Sequence, residues 1–197
     1  MNQIKNYKVY DIFNKIIVLL MTIISTILGI YYIKINEPVR VFSSFSIFLT
    51  LLIPILLNKT KYRLNIKELF IYNSFMFLSH FIGSIINVFN MVSWYDTFVH
   101  FLSGIFTFYI SYIILIKTKC AKNINPLIIF IYFMGFTSFV AVCWEIIEYI
   151  GDVLLKTNFQ HNLDTGVSDT MIDMIVAVVG SFISYIYLFF VKNKKNI

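Results

Sequence analysis

Six long apolar segments constrain the fold of this chain more than any other feature. Each has about the 17–25 residues that a helix needs to cross the hydrocarbon core of a bilayer. Backbone polar groups cannot be left open in hydrocarbon, so each segment must be helical. The sequence therefore predicts an all-α, polytopic membrane helix bundle that forms a single integral membrane domain over residues 1–197. The segments lie at about 16–33, 41–57, 69–89, 97–116, 126–150 and 170–191.

The composition excludes an ordinary soluble domain. Hydrophobic residues make up 59% of the chain and charged residues only 13%, whereas soluble domains carry about a quarter charged residues. The net charge of +6 does not indicate a nucleic-acid partner, because the basic residues lie in short flanks beside apolar segments. Cys120 and Cys143 are predicted on opposite sides of the bilayer, which makes an intramolecular disulfide improbable. The partner that the composition predicts is the lipid bilayer.

The charged flanks predict how the chain is oriented in the membrane. All but three of the 16 basic residues, the exceptions being Lys34, Arg40 and Lys156, fall on one side of the predicted helices. By the positive-inside rule, both termini are cytoplasmic. The acidic residues show the opposite bias, since of the ten only Asp11 and Glu68 are assigned to the cytoplasmic side. We therefore expect a multi-pass protein of a plasma membrane, with most of its acidic residues toward the outer face.

Four of the predicted helices carry one polar or small-residue face. Residues three or four apart share a helix face, and lipid cannot satisfy polar groups, so these faces should point at one another. The acids would then converge on a shallow cavity beneath the outer face. The faces comprise Asn73, His80, Ser84 and Asn87 in the third segment; Asp96, His100, Ser103 or Gly104, Thr107 and Ser111 in the fourth; Ser138, Ala141, Glu145, Glu148 and Asp152 in the fifth; and Asp169, Asp173, Ala177, Gly180 and Ser184 in the sixth.

Convergent carboxylates in a semi-buried cavity need compensation for their charge. Burial and mutual repulsion both disfavour the fully ionised state, and no basic residue lies on these faces. Protonation and a bound metal ion remain as alternatives. Carboxylates with an imidazole suit Zn²⁺, Mn²⁺ or Fe²⁺, and carboxylates with water suit Mg²⁺ or Ca²⁺. The predicted metal ligands are Asp96, His100, Glu145, Glu148 and Asp173.

Each of these residues also has a structural interpretation. Acids in a first helical turn favour the helix dipole and cap the helix, and polar residues near a helix end are often solvated. A buried polar side chain is most often one that is hydrogen-bonded. On this interpretation Asp96 and Asp169 are caps, Glu148 and Asp152 are solvated, and Glu145, Asp173, His100 and His80 are hydrogen-bonded or packed.

Three sequence blocks resemble motifs of the YjdF-like family of bacterial inner-membrane proteins. They are Tyr-Asp-x-x-x-His-Phe-x-x-Gly at 95–104, Glu-Ile-Ile-Glu at 145–148 and Asp-Thr-x-x-Asp-Met-x-x-Ala-x-x-Gly at 169–180. The resemblance covers about 70–190 and keeps the order of the blocks. The chain departs from the family in reading Asp-Thr-Gly-Val-Ser at 164–168, so no role is carried over to Asp164. The last block is also distantly similar to VanZ-type proteins, which are linked to glycopeptide resistance. The resemblance implies a polytopic membrane protein and supplies no reaction.

Two functions from different classes fit these features. The first is a metal-dependent hydrolase at the outer leaflet, acting on a lipid or lipid-linked envelope substrate, with Asp169 and Glu148 as the catalytic carboxylates. The second is a small proton- or cation-coupled transporter or ligand-binding membrane protein, in which a dimer would compensate for the small number of helices. A continuous polar path through His80 would favour the transporter, and a closed cavity the enzyme. A structural partner in envelope assembly is the third alternative.

Overall fold

The computed structural model describes residues 2–120, 124–160 and 165–195, and the side chains of 8–120, 124–160 and 165–191. This part of the chain is helical, with no β-strand. We number the α-helices in chain order and name the π-helix and the 3₁₀ turn by their residues. The elements are α1 Asn2–Lys34, α2 Pro38–Leu57, α3 Ile66–Met76, the π-helix Phe77–Ile85, the 3₁₀ turn Val88–Asn90, α4 Tyr95–Lys117, α5 Pro126–Leu155 and α6 Ser168–Lys195.

The all-helical membrane fold predicted from the sequence is confirmed. Among the described residues, α1, α2, α4, α5 and α6 are long and apolar enough to cross a membrane. They extend beyond the predicted apolar segments because polar residues continue the same helices at their ends. α5, for example, runs on to Leu155 and ends where Lys156 adopts a left-handed backbone with φ 55°. The orientation of the termini and the single-domain organisation remain predictions.

The third predicted helix differs most from its predicted form. In the structure this segment begins with the 11 α-helical residues Ile66–Met76 and continues with the nine residues Phe77–Ile85 as a π-helix. Neither piece alone has the length of a membrane span. The helix ends at Ile85 rather than near 89, because Asn87 adopts a left-handed backbone with φ 74° before the 3₁₀ turn. A π-helix has wider turns than an α-helix, so a 3.6-residue period does not describe the faces of this segment.

The first compact unit of the chain comprises residues 1–95. Ile17 and Met21 of α1, Ile47 of α2, and Phe81 and Ile85 of the π-helix form its apolar core. In a bilayer such side chains stabilise the unit through van der Waals packing, because lipid tails are as apolar as the side chains themselves.

Buried polar groups of the first unit bond across its helices. The Asn73 amide donates to Asn14 Oδ1 at 2.9 Å, and the Tyr72 hydroxyl donates to the Thr50 carbonyl at 2.7 Å. α3 begins with a capping box, in which Asn65 Oδ1 accepts from the Glu68 amide and Glu68 Oε2 accepts from the Asn65 amide. The unit therefore combines apolar packing with these hydrogen bonds, while the buried Ser25 Oγ, Ser44 Oγ and Asn73 Oδ1 lack a hydrogen-bond partner among the described residues.

The second compact unit comprises residues 96–197 and contains α4, α5 and α6. α4 and α6 approach so closely that a Cβ on Gly104 would collide with the Ala177 backbone carbonyl, and one on Gly180 with that of Phe101. Small residues permit this approach of backbones, as in other membrane helix pairs. α5 packs through Phe133, whose ring centroid lies 4.5 Å from that of Phe108 in α4.

Candidate metal centre

The most compact group of potential ligands in the second unit lies between α4 and α6. Asp96 and His100 are one turn apart in α4, so they share a face, and Asp173 reaches them from the second turn of α6. His100 Nε2 is 3.6 Å from Asp96 Oδ1 and 3.9 Å from Asp173 Oδ2. One ligand atom from each residue lies within 4.8 Å of the others. Three predicted metal ligands are thus brought together from two helices.

These separations are too long for hydrogen bonds and close to those of ligands around one ion. Donor–acceptor distances in N–H···O bonds are about 2.7–3.2 Å. Ligand atoms at 2.0–2.1 Å from a tetrahedral ion lie about 3.4 Å from one another. The His100 nitrogen is therefore placed between two carboxylates without being bonded to either. The two distances to His100 are within about half an ångström of that spacing, and all three atoms lie within 4.8 Å of one another.

The group is shielded from solvent. His100 is 6% exposed and Asp173 only 2% exposed, while Asp96 is partly exposed. Asp173 Oδ1 is buried and accepts no hydrogen bond from the described residues. A buried carboxylate oxygen without a partner costs free energy, and a bound cation would remove this cost.

The two glutamates of α5 add further negative charge. Glu145 is 5% exposed, and its carboxylate has the side chains of Thr170 and Gln160 as its neighbouring donors, although neither oxygen accepts a hydrogen bond of regular geometry from the described residues. Glu148, one turn later, is half-buried and accepts a hydrogen bond from Trp144 Nε1 at 2.7 Å. Its carboxylate lies within Coulombic range of Glu145, Asp96 and Asp173. Both glutamates are near the compact group but outside it.

Asp169, the other predicted catalytic residue, is in the first turn of α6. It is half-buried and lies within Coulombic range of Glu145 and Asp173. An acid in this turn also favours the helix dipole, as does Asp96 in the first turn of α4. The capping interpretation and the site interpretation therefore apply to the same residues at once.

Asp152 has a local structural role. Its carboxylate accepts hydrogen bonds from the Thr157 hydroxyl at 2.7 Å, the Phe159 amide at 2.6 Å and the Gln160 amide at 3.1 Å. These bonds hold the turn that follows α5, so Asp152 is not simply solvated as one interpretation predicted. On the predicted polar face of α5, Asp152 thus accepts more of these hydrogen bonds than Glu148, which accepts one from Trp144.

Gln160 and Thr170 belong to the site region and were missed by the sequence reasoning. Gln160 Nε2 donates to the Glu145 backbone carbonyl at 3.4 Å and to Thr170 Oγ1 at 3.3 Å. The side chain thus bridges the end of α5 and the start of α6 beside the carboxylates. No helical spacing marks a residue in a turn, and only the Asp152 bonds bring Gln160 back to this position.

Beyond the ligands, α4, α5 and α6 are packed directly against one another. Gly104 lies one turn beyond His100 and meets Ala177, one turn beyond Asp173. One turn further, Thr107 and Thr137 share a hydrogen bond of 3.1 Å, and Thr137 donates to Ser181 at 2.9 Å. All three hydroxyl residues are buried. The site therefore lies at one end of the helices, above a packed seam.

His80 belongs to the first unit and is accommodated differently from His100. Its Nε2 lies 2.9 Å from Ser46 Oγ, and its ring also hydrogen-bonds the Ser43 backbone. This agrees with the interpretation of His80 as a satisfied structural histidine. Asp164 and His161 lie outside the described residues.

The helices and the buried acidic group together define a polytopic helical membrane protein with a carboxylate–histidine cluster. The chain belongs to the family described as "Predicted membrane protein (DUF2238)", whose profile matches residues 16–194. The YjdF-like and VanZ-like resemblances remain predictions.

One curated relative comes from Thermotoga maritima and is described as "Uncharacterized protein". It is 26% identical over 111 residues, which are 56% of this chain and 55% of that protein. The matched part therefore spans about half the length of this relative. No solved structure matches the chain.

Proposed function

We propose that the second unit binds a divalent cation through Asp96, His100 and Asp173, and that the protein is a metal-dependent hydrolase of a lipid or lipid-linked substrate. One observation carries the proposal. The buried Asp173 Oδ1 lacks a hydrogen-bond partner among the described residues, and the other oxygen of this carboxylate lies at ligand spacing from a buried imidazole. Such a group is costly in a membrane bundle, and a cation compensates it.

A cation accounts for the arrangement better than protonation alone. A protonated carboxyl group is a hydrogen-bond donor, and a proton held between His100 and a carboxylate would favour a separation below 3.2 Å. The observed separations of 3.6 and 3.9 Å instead resemble those of ligands around a common ion. Among the described residues, no lysine or arginine forms an ion pair with Glu145, Glu148 or Asp173.

The surrounding carboxylates suit hydrolysis. A divalent cation supplies Lewis acidity and makes a water nucleophile available at neutral pH. Glu148 is half-buried, within Coulombic range of Asp96 and Asp173, so it is placed to accept the proton of the attacking water. The water oxygen would form the new bond to the ester centre, and the carboxyl group would return the proton to the leaving oxygen. Asp169 is the second candidate for this role.

The position of the site favours a membrane-borne substrate. Asp96 and Asp169 are in the first turns of α4 and α6, and Glu148 lies seven residues before the end of α5, a rise of about 10 Å. This depth supports a site near the interface between lipid and water. The tight approach of the helices at Gly104 and Ala177 supports a site at one end of the helices rather than a path through them.

Transport is the second candidate function. The buried hydroxyl groups of Thr107, Thr137 and Ser181 form a hydrogen-bonded chain that continues inward from the acidic group. Hydroxyl and acid chains of this kind relay protons in some transporters. Their tight packing against the small-residue seam supports the hydrolase more strongly.

The hydrolase proposal is tested with purified protein in vesicles of phosphatidylethanolamine and phosphatidylglycerol, with an isoprenyl diphosphate added in a parallel set. Release of water-soluble phosphate or free fatty acid is measured with Mn²⁺ or Zn²⁺ and again with chelator. We expect metal-dependent release that falls at least about 100-fold in Glu148→Gln, in line with removal of a general base. Glu37→Gln, an exposed glutamate before α2, is the matched control and should keep full activity.

The same vesicles separate the two functions. Metal-dependent proton or cation entry without product release would replace the hydrolase by the transporter. Neither release nor entry in protein that holds its metal would reduce the proposal to a metal-binding membrane protein.

A further inference from the structure

Asp173 occupies the centre of the acidic group. Its Oδ2 is the atom that lies 3.9 Å from His100 Nε2, whereas its Oδ1 is buried and accepts no hydrogen bond from the described residues. Its carboxylate is within Coulombic range of Asp96 in α4, Glu145 in α5 and Asp169 in α6. One carboxylate thus has one oxygen committed to the compact group and a second oxygen without a partner.

The glutamates of α5 lie in a position that a single ion does not use. Ligand atoms on opposite sides of one ion are at most about 4–5 Å apart for the usual bond lengths. Asp96, His100 and Asp173 satisfy this limit mutually at 4.8 Å, but Glu145 and Glu148 fall outside the group. Glu145 nevertheless is 5% exposed and lies within Coulombic range of Asp173. Its neighbouring donors, Thr170 and Gln160, are neutral and leave its charge uncompensated. The buried Asp173 Oδ1 without a partner among the described residues and this second buried carboxylate together indicate that a further cation is held there.

We propose that the site takes two divalent cations bridged by the Asp173 carboxylate, an inference that rests on the proposed function. The first cation is held by Asp96, His100 and Asp173 Oδ2. The second is held by Asp173 Oδ1 and Glu145, and Glu148 and Asp169 lie within Coulombic range of these ligands. Paired metals in hydrolytic sites are about 3.5–4 Å apart, a spacing that one bridging carboxylate provides.

The charges agree with two ions. Asp96, Glu145, Glu148, Asp169 and Asp173 lie within Coulombic range of one another in overlapping sets. One divalent cation balances two of these negative charges, and two cations balance four. The donor sets also differ in chemistry. The first includes an imidazole, which suits Zn²⁺, Mn²⁺ or Fe²⁺, whereas the second consists of oxygen atoms alone, which suit Mn²⁺, Mg²⁺ or Ca²⁺.

Two metals would give the hydrolase a defined substrate class. Paired cations stabilise both the attacking and the leaving oxygen of an in-line displacement at phosphorus. The substrate class that fits is therefore a lipid phosphate or diphosphate ester, in preference to a carboxylic ester. The phosphate group of such a lipid would approach from the side of Asp96, which is the partly exposed ligand of the compact group.

The test uses full-length protein in detergent and Mn²⁺ as the probe, because Mn²⁺ suits both donor sets. Equilibrium dialysis gives the number of ions per chain, and low-temperature electron paramagnetic resonance reports whether the two spins are coupled. We expect two Mn²⁺ ions per chain with a coupled signal. Glu145→Gln should lower the stoichiometry to one and remove the coupling, while Glu37→Gln should change neither.

The outcomes distinguish this inference from the proposed function. One ion per chain in the wild type, with an isolated-spin signal, overturns the paired site and leaves the single-ion proposal standing. No bound ion in the wild type overturns both. Two uncoupled ions that persist in Glu145→Gln also overturn the bridge through Asp173. The wild-type signal decides the question even where a variant fails to fold.

Discussion

Each compact unit of the protein contains a buried glutamate and a histidine, which is partly buried in the first unit and buried in the second, but the two units treat these residues differently. In the first unit, Glu68 is 8% exposed and takes part in the capping box of α3, and His80 is bonded to Ser46. In the second unit, Glu145 is 5% exposed with no hydrogen bond to its carboxylate from the described residues, and His100 lies between two carboxylates beyond bonding distance.

The contrast shows that burial alone does not identify a ligand site. Glu68 and His80 are polar groups whose partners are supplied by the fold, which is the usual state of buried polar atoms. Glu145 is buried to a similar extent as Glu68, but it lies in a region where carboxylates from three helices repel one another. Among these groups, the buried Asp173 Oδ1 without a hydrogen-bond partner in the described residues is the feature that we assign to a bound cation.

The largest expected difference is in metal affinity. His100→Ala should weaken Mn²⁺ or Zn²⁺ binding by more than about 100-fold, because even the loss of an outer hydrogen-bond partner costs 10–100-fold. His80→Ala is the matched control and should change the affinity by less than about threefold. Competition with a fluorescent chelator measures both. An equal loss of metal affinity in the two variants would contradict the assignment of the metal site to His100 rather than His80.

A second prediction concerns the seam that sets the position of the ligands. Gly104→Ala should destabilise the protein by about 3 kcal/mol, the upper end for overpacking, because its Cβ meets backbone rather than a movable side chain. Gly135→Ala in α5 meets no atom within 4 Å and should be neutral or stabilise by up to about 1 kcal/mol. Thermal unfolding in detergent gives both values. A Gly104→Ala protein as stable as Gly135→Ala would contradict the close approach of α4 and α6.

The smallest effect should differ in sign between the units. Glu68→Met removes a capping bond and should destabilise the metal-free protein by about 1 kcal/mol. Glu145→Met removes an uncompensated buried charge while keeping a similar side-chain volume, so it should stabilise the metal-free protein by about 1 kcal/mol or more. Chelator-treated samples are compared by thermal unfolding. Destabilisation by Glu145→Met would mean that the fold already satisfies this carboxylate.

The sequence was sufficient for features set by local spacing. Apolar segment lengths predict the helices, and the four-residue spacing of Asp96 and His100 places both on one face of α4. The approach of Asp173 to His100 depends on the Gly104 and Gly180 contacts, so the sequence suggested it only through the small residues that follow each ligand.

Other features depended on geometry that no periodic pattern carries. The π-helix at Phe77–Ile85 changes the angle between successive residues of the third segment. The polar face predicted for this segment from a 3.6-residue period is therefore wrong. Gln160 reaches Glu145 through a turn held by Asp152, and side-chain bonds within a turn leave no spacing to recognise. Helical spacing predicts that Glu145 and Glu148 share one face of α5. It does not predict their distances from Asp96, His100 and Asp173 on the neighbouring helices.

The most direct measurement is X-ray absorption at the metal edge of protein loaded with Zn²⁺ and purified in detergent. The account predicts nitrogen and oxygen neighbours at about 2.0–2.1 Å, with the outer-shell scattering of one imidazole. That imidazole contribution should disappear in His100→Ala and remain in His80→Ala. A spectrum of hydrated or sulfur-bound zinc in the wild type, or an imidazole contribution that persists in His100→Ala, would contradict a metal centre at Asp96, His100 and Asp173.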